Sequence, residues 1–247
     1  MADWNDPSRN AQRLGSVPRA GGDVAGRVSY DEGLRSHMLS IYNYMTSGIL
    51  LTGIVALLAF TSGMAETIHF SGLRWIVGLS PLAIVFAMSF GANRFSTGTL
   101  QVMFWAFATL MGLSLSSIFL IYTGASIATT FFATAAAFAG LSLYGYTTKK
   151  NLSGLGSFLI MGVIGLLVAM LLNLWLQSPA FHYAISFIGV LIFAGLTAYD
   201  TQRLKNEYEM LRGTQFAGKA VILGALSLYL DFINMFTFLL QFLGNRE

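Results

Sequence analysis

The chain has 247 residues, 55% of them hydrophobic and 10% charged, with a formal net charge of +3 and no cysteine. So few charges cannot cover a water-soluble domain of this length, where about a quarter of residues are usually charged. The missing cysteines exclude disulfides, thiolate metal sites and cysteine nucleophiles. The basic residues are scattered over separate segments, which argues for membrane topology and against a nucleic-acid partner.

Residues 1–35 are rich in Gly, Arg, Asp and Ser without an apolar period, and are expected to be a flexible cytoplasmic tail. The tail lacks the short apolar core and small-residue cleavage site of a signal peptide, so it is expected to stay in place. Residues 36–247 then carry seven apolar segments, at about 37–60, 74–91, 99–122, 125–146, 155–176, 181–200 and 220–243. Each is long enough to cross a hydrocarbon layer, which takes roughly 20 residues as helix. The expected fold is therefore all-α, a polytopic membrane protein of seven transmembrane helices. Pro81 lies inside the second segment and predicts a kink, tolerable where other groups satisfy the freed carbonyl. No internal repeat is visible.

Cytoplasmic loops hold an excess of Lys and Arg. With seven spans, the tail and the second, fourth and sixth loops fall on one side, and they hold 12 of the 14 basic residues; only Arg74 and Arg246 fall opposite. The N-terminus is expected in the cytoplasm and the C-terminus outside. Trp75 and Trp175 sit at outer segment ends, where interfacial aromatics belong.

Two acids stand in apolar surroundings. Asp200 closes FIGVLIFAGLTAYD (187–200), and Asp231 interrupts LSLYLDFINMFTFLLQFLG (226–244). Asp231 is 12 residues from Lys219, about 18 Å along a helix, so it lies inside the bilayer. An acid there costs roughly 2.5–3.5 kcal/mol and usually faces a cavity or a partner. The simpler readings are a boundary residue in water for Asp200 and interhelical packing glue for Asp231. Helical spacing favours more. Gly224, Ser227, Asp231, Asn234 and Gln241 share one face, as do Ser186, Gly189, Phe193, Thr197 and Asp200 on the preceding segment. Such stripes should point into the bundle. Ser227, Asn234 and Thr197 are the polar candidates to line a pore.

If the two carboxyls meet, about 3 Å apart, they cannot both ionise cheaply; they would share one proton and titrate as a unit. Losing that proton leaves like charges that repel, and carboxylates are hard oxygen ligands that suit Ca²⁺. The expectation is a proton-operated latch in which Asp200 and Asp231 form the only candidate metal site, for Ca²⁺. Counted from the segment ends, the acids differ in depth by about 10 Å. Contact therefore requires the sixth helix to continue past Asp200, the seventh to start below the membrane surface, or tilt.

GLTAYDTQRLK (195–205) and ALSLYLDFINMFTFLLQFLG (225–244) resemble the signature of the Bax inhibitor-1, or transmembrane Bax inhibitor motif, family. The layout agrees over about 35–244, and the short C-terminus resembles the bacterial branch. The resemblance implies a bundle around a central last helix and a pH-sensitive calcium leak, with Asp200 and Asp231 as the sensor. It also implies that Arg94, in SFGANRFS, locks the acid of the last helix; by its position alone Arg94 is a snorkelling interface anchor. Members with a further acid in the second helix are not matched here. Bacterial relatives are implicated in modulating a membrane-anchored ATP-dependent protease.

Enzymatic readings lack their frames. The Asp231 surroundings, LYLD, are not the Gly-x-Gly-Asp of intramembrane aspartyl proteases, and no Pro-Ala-Leu follows. No Gly-x-Ser-Gly nucleophile occurs, and His37, His69 and His182 lie at segment ends with poor metal-ligand spacing. Together with these absences, the resemblance implies a non-enzyme without cofactor, a proton-gated Ca²⁺ or cation leak in the inner membrane, with lipid, calcium ions and protons as its partners. The alternatives are a scaffold acting on that protease and a proton-coupled transporter.

Overall fold

The computed structural model describes the backbone of residues 20–245 and side chains from residue 32 onward. The chain groups into Met1–Ser36 and His37–Glu247. Residues 1–19, most of the stretch read as a tail, lie outside the described residues; from Ala20 the backbone is helical, earlier than the sequence suggests.

Eight α-helices are described. They are α1 (Ala20–Thr61), α2 (Met64–Phe70), α3 (Leu73–Gly91), α4 (Thr97–Leu115), α5 (Gly124–Thr147), α6 (Ser153–Leu176), α7 (Pro179–Leu211) and α8 (Ala217–Leu243). A 3₁₀ turn, Ser116–Leu120, prolongs α4. Seven are long and apolar enough to span a membrane, α1 over Glu32–Thr61, and α2 is the short exception. The protein is an all-α, multi-pass membrane protein.

The helix ends follow local chemistry. Ser96, Thr123 and Ser178 each accept a hydrogen bond from a backbone N–H three residues on, capping α4, α5 and α7. Gln177 ends α6 with a left-handed φ of 49°, and Asn173 Oδ1 accepts from Ser178 N at 3.2 Å, closing the tight turn into α7. Inside α3, Pro81 deprives the Val77 carbonyl of its usual donor, and Ser80 Oγ donates to that carbonyl at 2.9 Å. The helix keeps its run because a serine replaces the missing N–H.

The last helix is the core. Of its most apolar stretch 67% is buried, against 11 to 39% for the other spans. Tyr229 packs edge-on against Phe104 and Phe107 of α4, Phe232 against Phe131 and Phe138 of α5, and Phe238 stacks on Phe193 of α7. Tyr229 also carries a polar pin: its hydroxyl lies 2.6 Å from Thr52 Oγ1 of α1, which donates to Ala108 O of α4 at 2.8 Å. This satisfies a hydroxyl that burial would otherwise penalise, and ties three helices together. The outward faces are apolar, as lipid contact requires; Trp75 and Trp175 are 62% and 90% exposed.

Candidate functional site

The site is the seam between α7 and α8. Residues 186, 189, 193, 197 and 200 of α7, and 227, 231, 234, 238 and 241 of α8, are spaced by three or four and average 3.5 residues. That 3.5-residue spacing keeps one stripe of each helix facing its neighbour. The seam is fastened at both ends. Near one end Ser186 Oγ donates to Gln241 Oε1 at 3.3 Å, and near the other Ser227 Oγ donates to Asp200 Oδ2 in a short bond. The interval from 186 to 200 equals that from 227 to 241, so both bonds belong to one antiparallel register. One turn from Ser186, Gly189 makes room for an aromatic ring: a Cβ there would stand 2.6 Å from Phe238.

The depth mismatch expected between the acids is reduced in two ways. Helix α7, the sixth of the seven spans, continues past Asp200 to Leu211, and α8, the last span, begins at Ala217. At 33 residues, α7 is about 50 Å long, well over the roughly 30 Å of hydrocarbon. Asp200 meets Ser227, and Asp231 stands one turn further along the same face of α8, a rise of about 6 Å.

The two carboxyls have unlike surroundings. Asp200 is 6% exposed and fully engaged: Oδ2 accepts from Ser227 Oγ, and Oδ1 lies 3.3 Å from Arg203 Nη1. Arg203 Nη2 also donates to Ser227 Oγ at 3.0 Å, so the three side chains close a ring. Asp231 is 5% exposed, and its Oδ2 is buried without a hydrogen-bond partner. Asp231 stands one turn along α8 from Ser227, the residue that hydrogen-bonds both Asp200 and Arg203. A buried carboxylate with a bare oxygen costs several kcal/mol, a cost removed by a proton or a cation at that oxygen.

The remaining sequence candidates fall differently. Thr197 is fully buried in the seam and donates to Phe193 O at 2.8 Å; Asn234 Nδ2 donates to Leu230 O at 2.8 Å. Both are satisfied by their own helices. Arg94 is exposed in the turn after α3, and forms no ion pair among the described residues. The cation beside Asp200 is Arg203, which by sequence alone is one of the basic residues of the sixth loop. Its spacing, three residues after Asp200 and four before Glu207, was a usable signal.

The residues around Arg203 face the other way. Thr201 Oγ1 lies 3.2 Å from Ser142 Oγ of α5, and Lys205 Nζ donates to Tyr146 O at 2.7 Å. Gln202 accepts from Leu152 N and donates to Lys150 O, each at 2.8 Å, holding the loop between α5 and α6. Gly145 of α5 lets the α7 backbone at Ala198 approach so closely that a Cβ would strike its carbonyl. The DTQRLK stretch therefore fixes α7 to α5 and α6 on one side and builds the acid site on the other.

Seven spans, a central last helix and an acid site on its seam define a class of multi-pass membrane protein. The family profile described as "Inhibitor of apoptosis-promoting Bax1" matches residues 34–247, and the chain belongs to this Bax inhibitor-1 family. It is 48% identical to inner membrane protein YbhL of Escherichia coli, over 87% of this chain and 94% of that one. A Caulobacter vibrioides protein is 44% identical over 98% of this chain and its whole length. A membrane protein of Streptococcus pyogenes is 35% identical, over 88% of this chain and 96% of its own.

Proposed function

We propose that the protein is a proton-sensitive leak for Ca²⁺ and similar cations, with Asp200 and Asp231 as its gate. The observation that carries this reading is the buried, unpartnered Oδ2 of Asp231, one turn from the Asp200–Ser227–Arg203 ring. With a proton on Asp231, the seam holds one net carboxylate, answered by Arg203, and stays packed. Removing the proton adds a second negative charge in a poorly solvated place. The helices then separate or admit a cation, and hard carboxylate oxygens favour a divalent one. Leak should rise with pH and fall as the acid is reprotonated. The reading is of transport without enzymatic chemistry, in which Ca²⁺ is cargo and no cofactor is held. The N-terminus and the basic loops lie in the cytoplasm, and the membrane is the inner one, the location named for the Escherichia coli relative.

The test is calcium flux from sealed liposomes holding the purified protein. Wild type should pass Ca²⁺ down its gradient, more at higher pH. Asp231→Asn, which fixes a neutral side chain, should be nearly silent at every pH. A variant with the wild-type pH profile would reject the gate assignment.

A further inference from the structure

Arg203 lies between two carboxylates of very different wetness. Asp200 precedes it by three residues and Glu207 follows by four, so all three share one face of α7. The Asp200 side chain is 8% exposed, that of Glu207 36% and that of Arg203 35%. On the dry side Nη2 donates to Ser227 Oγ and Nη1 lies 3.3 Å from Asp200 Oδ1, with Cζ 5.8 Å from the centre of the Tyr199 ring. Towards Glu207 the ion pair is of similar length, Nε 3.4 Å from Oε1, and Nε makes no hydrogen bond, so what separates the two carboxylates is their exposure and the Ser227 bond. Lys205, the next cation on α7, is turned away onto Tyr146 of α5.

A cation entering the seam must take Asp200 from Arg203. Displaced into lipid or apolar packing, a guanidinium would cost far more than the entering ion returns. Glu207 removes that obstacle, because a rotation of the Arg203 side chain towards it keeps the charge paired in a wetter place. We propose that Arg203 is a tethered counter-cation that competes with the permeating divalent ion for Asp200, and that Glu207 is the carboxylate that receives it when displaced. This rests on the cation-leak reading and assigns its selectivity to a positioning pair outside the two acids.

The two residues should act with opposite signs. Calcium binding to the purified full chain in lipid nanodiscs, read by isothermal titration, should tighten about ten-fold in Arg203→Gln, the scale of a lost charge-assisted contact. Glu207→Gln should weaken it several-fold, and Arg203→Lys should stay near wild type. In the Arg203→Gln background, Glu207→Gln should add nothing, because Glu207 acts only through the arginine. Equal weakening by Glu207→Gln in both backgrounds would overturn the proposal, leaving Glu207 as plain surface charge. Unchanged or weaker binding in Arg203→Gln would also overturn it. Binding lost in Asp200→Asn yet insensitive to residue 203 rejects this inference alone. Wild type that neither binds nor passes Ca²⁺ rejects the leak reading with it.

Discussion

Ser227 accepts from a guanidinium and donates to a carboxylate, so one hydroxyl orders both charges of the site. Deleting it leaves Asp200 with a single partner in an apolar seam. Ser227→Ala should cost about 1.5–3 kcal/mol of stability, typical of a hydrogen bond to a charged group, measurable as a lower Tm in detergent. Its leak should rise at a pH where wild type is quiet, because the Arg203–Asp200 pair loses its brace. An unchanged Tm would show that the hydroxyl is incidental. At this scale the acids were legible in the sequence, since a carboxylate in an apolar run advertises its own cost. Arg203 was not, because a hydropathy reading stops at the first charge and assigns everything beyond it to solvent.

Among the elements, α7 has a double task, and its two faces are separable. Gly145→Ala would push a methyl into the Ala198 backbone, and should cost about 1–3 kcal/mol by overpacking. Gly140 on the same helix faces open space, so Gly140→Ala should be neutral or slightly stabilising. Thermal denaturation of the two variants checks the contrast; equal losses would mean that α5 does not approach α7 as described. The sequence leaves continuation past Asp200 open as one route to contact, and only the full reach of α7 to Leu211 goes unsignalled, for a physical reason. TQRLKNEYEML is rich in helix formers but poor in apolar residues, so the helix outlasts the hydrocarbon that made it detectable. Helix α2 escaped for the converse reason: seven residues are too few to give a periodic signal.

For the whole molecule, the seven apolar runs carried most of the architecture. Their ends agree with the helices to within a few residues, apart from α7 and the early start of α1. The central place of α8 is foreshadowed by its polar stripe, which no lipid-facing helix could keep. The cysteine-free sequence makes topology directly testable. Cysteines introduced by Arg94→Cys and Lys149→Cys should react with a membrane-impermeant thiol reagent only from the cytoplasmic side. Glu66→Cys and Arg74→Cys should react only from outside. The reverse pattern would invert the bundle.

The proposed gate depends on a proton held by the buried acid of the last helix. pH-difference infrared spectroscopy of the reconstituted protein reads it directly, as the carbonyl stretch of a neutral carboxylic acid. The predicted result is such a band in wild type, lost with rising pH over the range in which leak appears, and missing in Asp231→Asn. A wild type without the band at any pH, or an Asp231→Asn protein that retains it, would contradict the account.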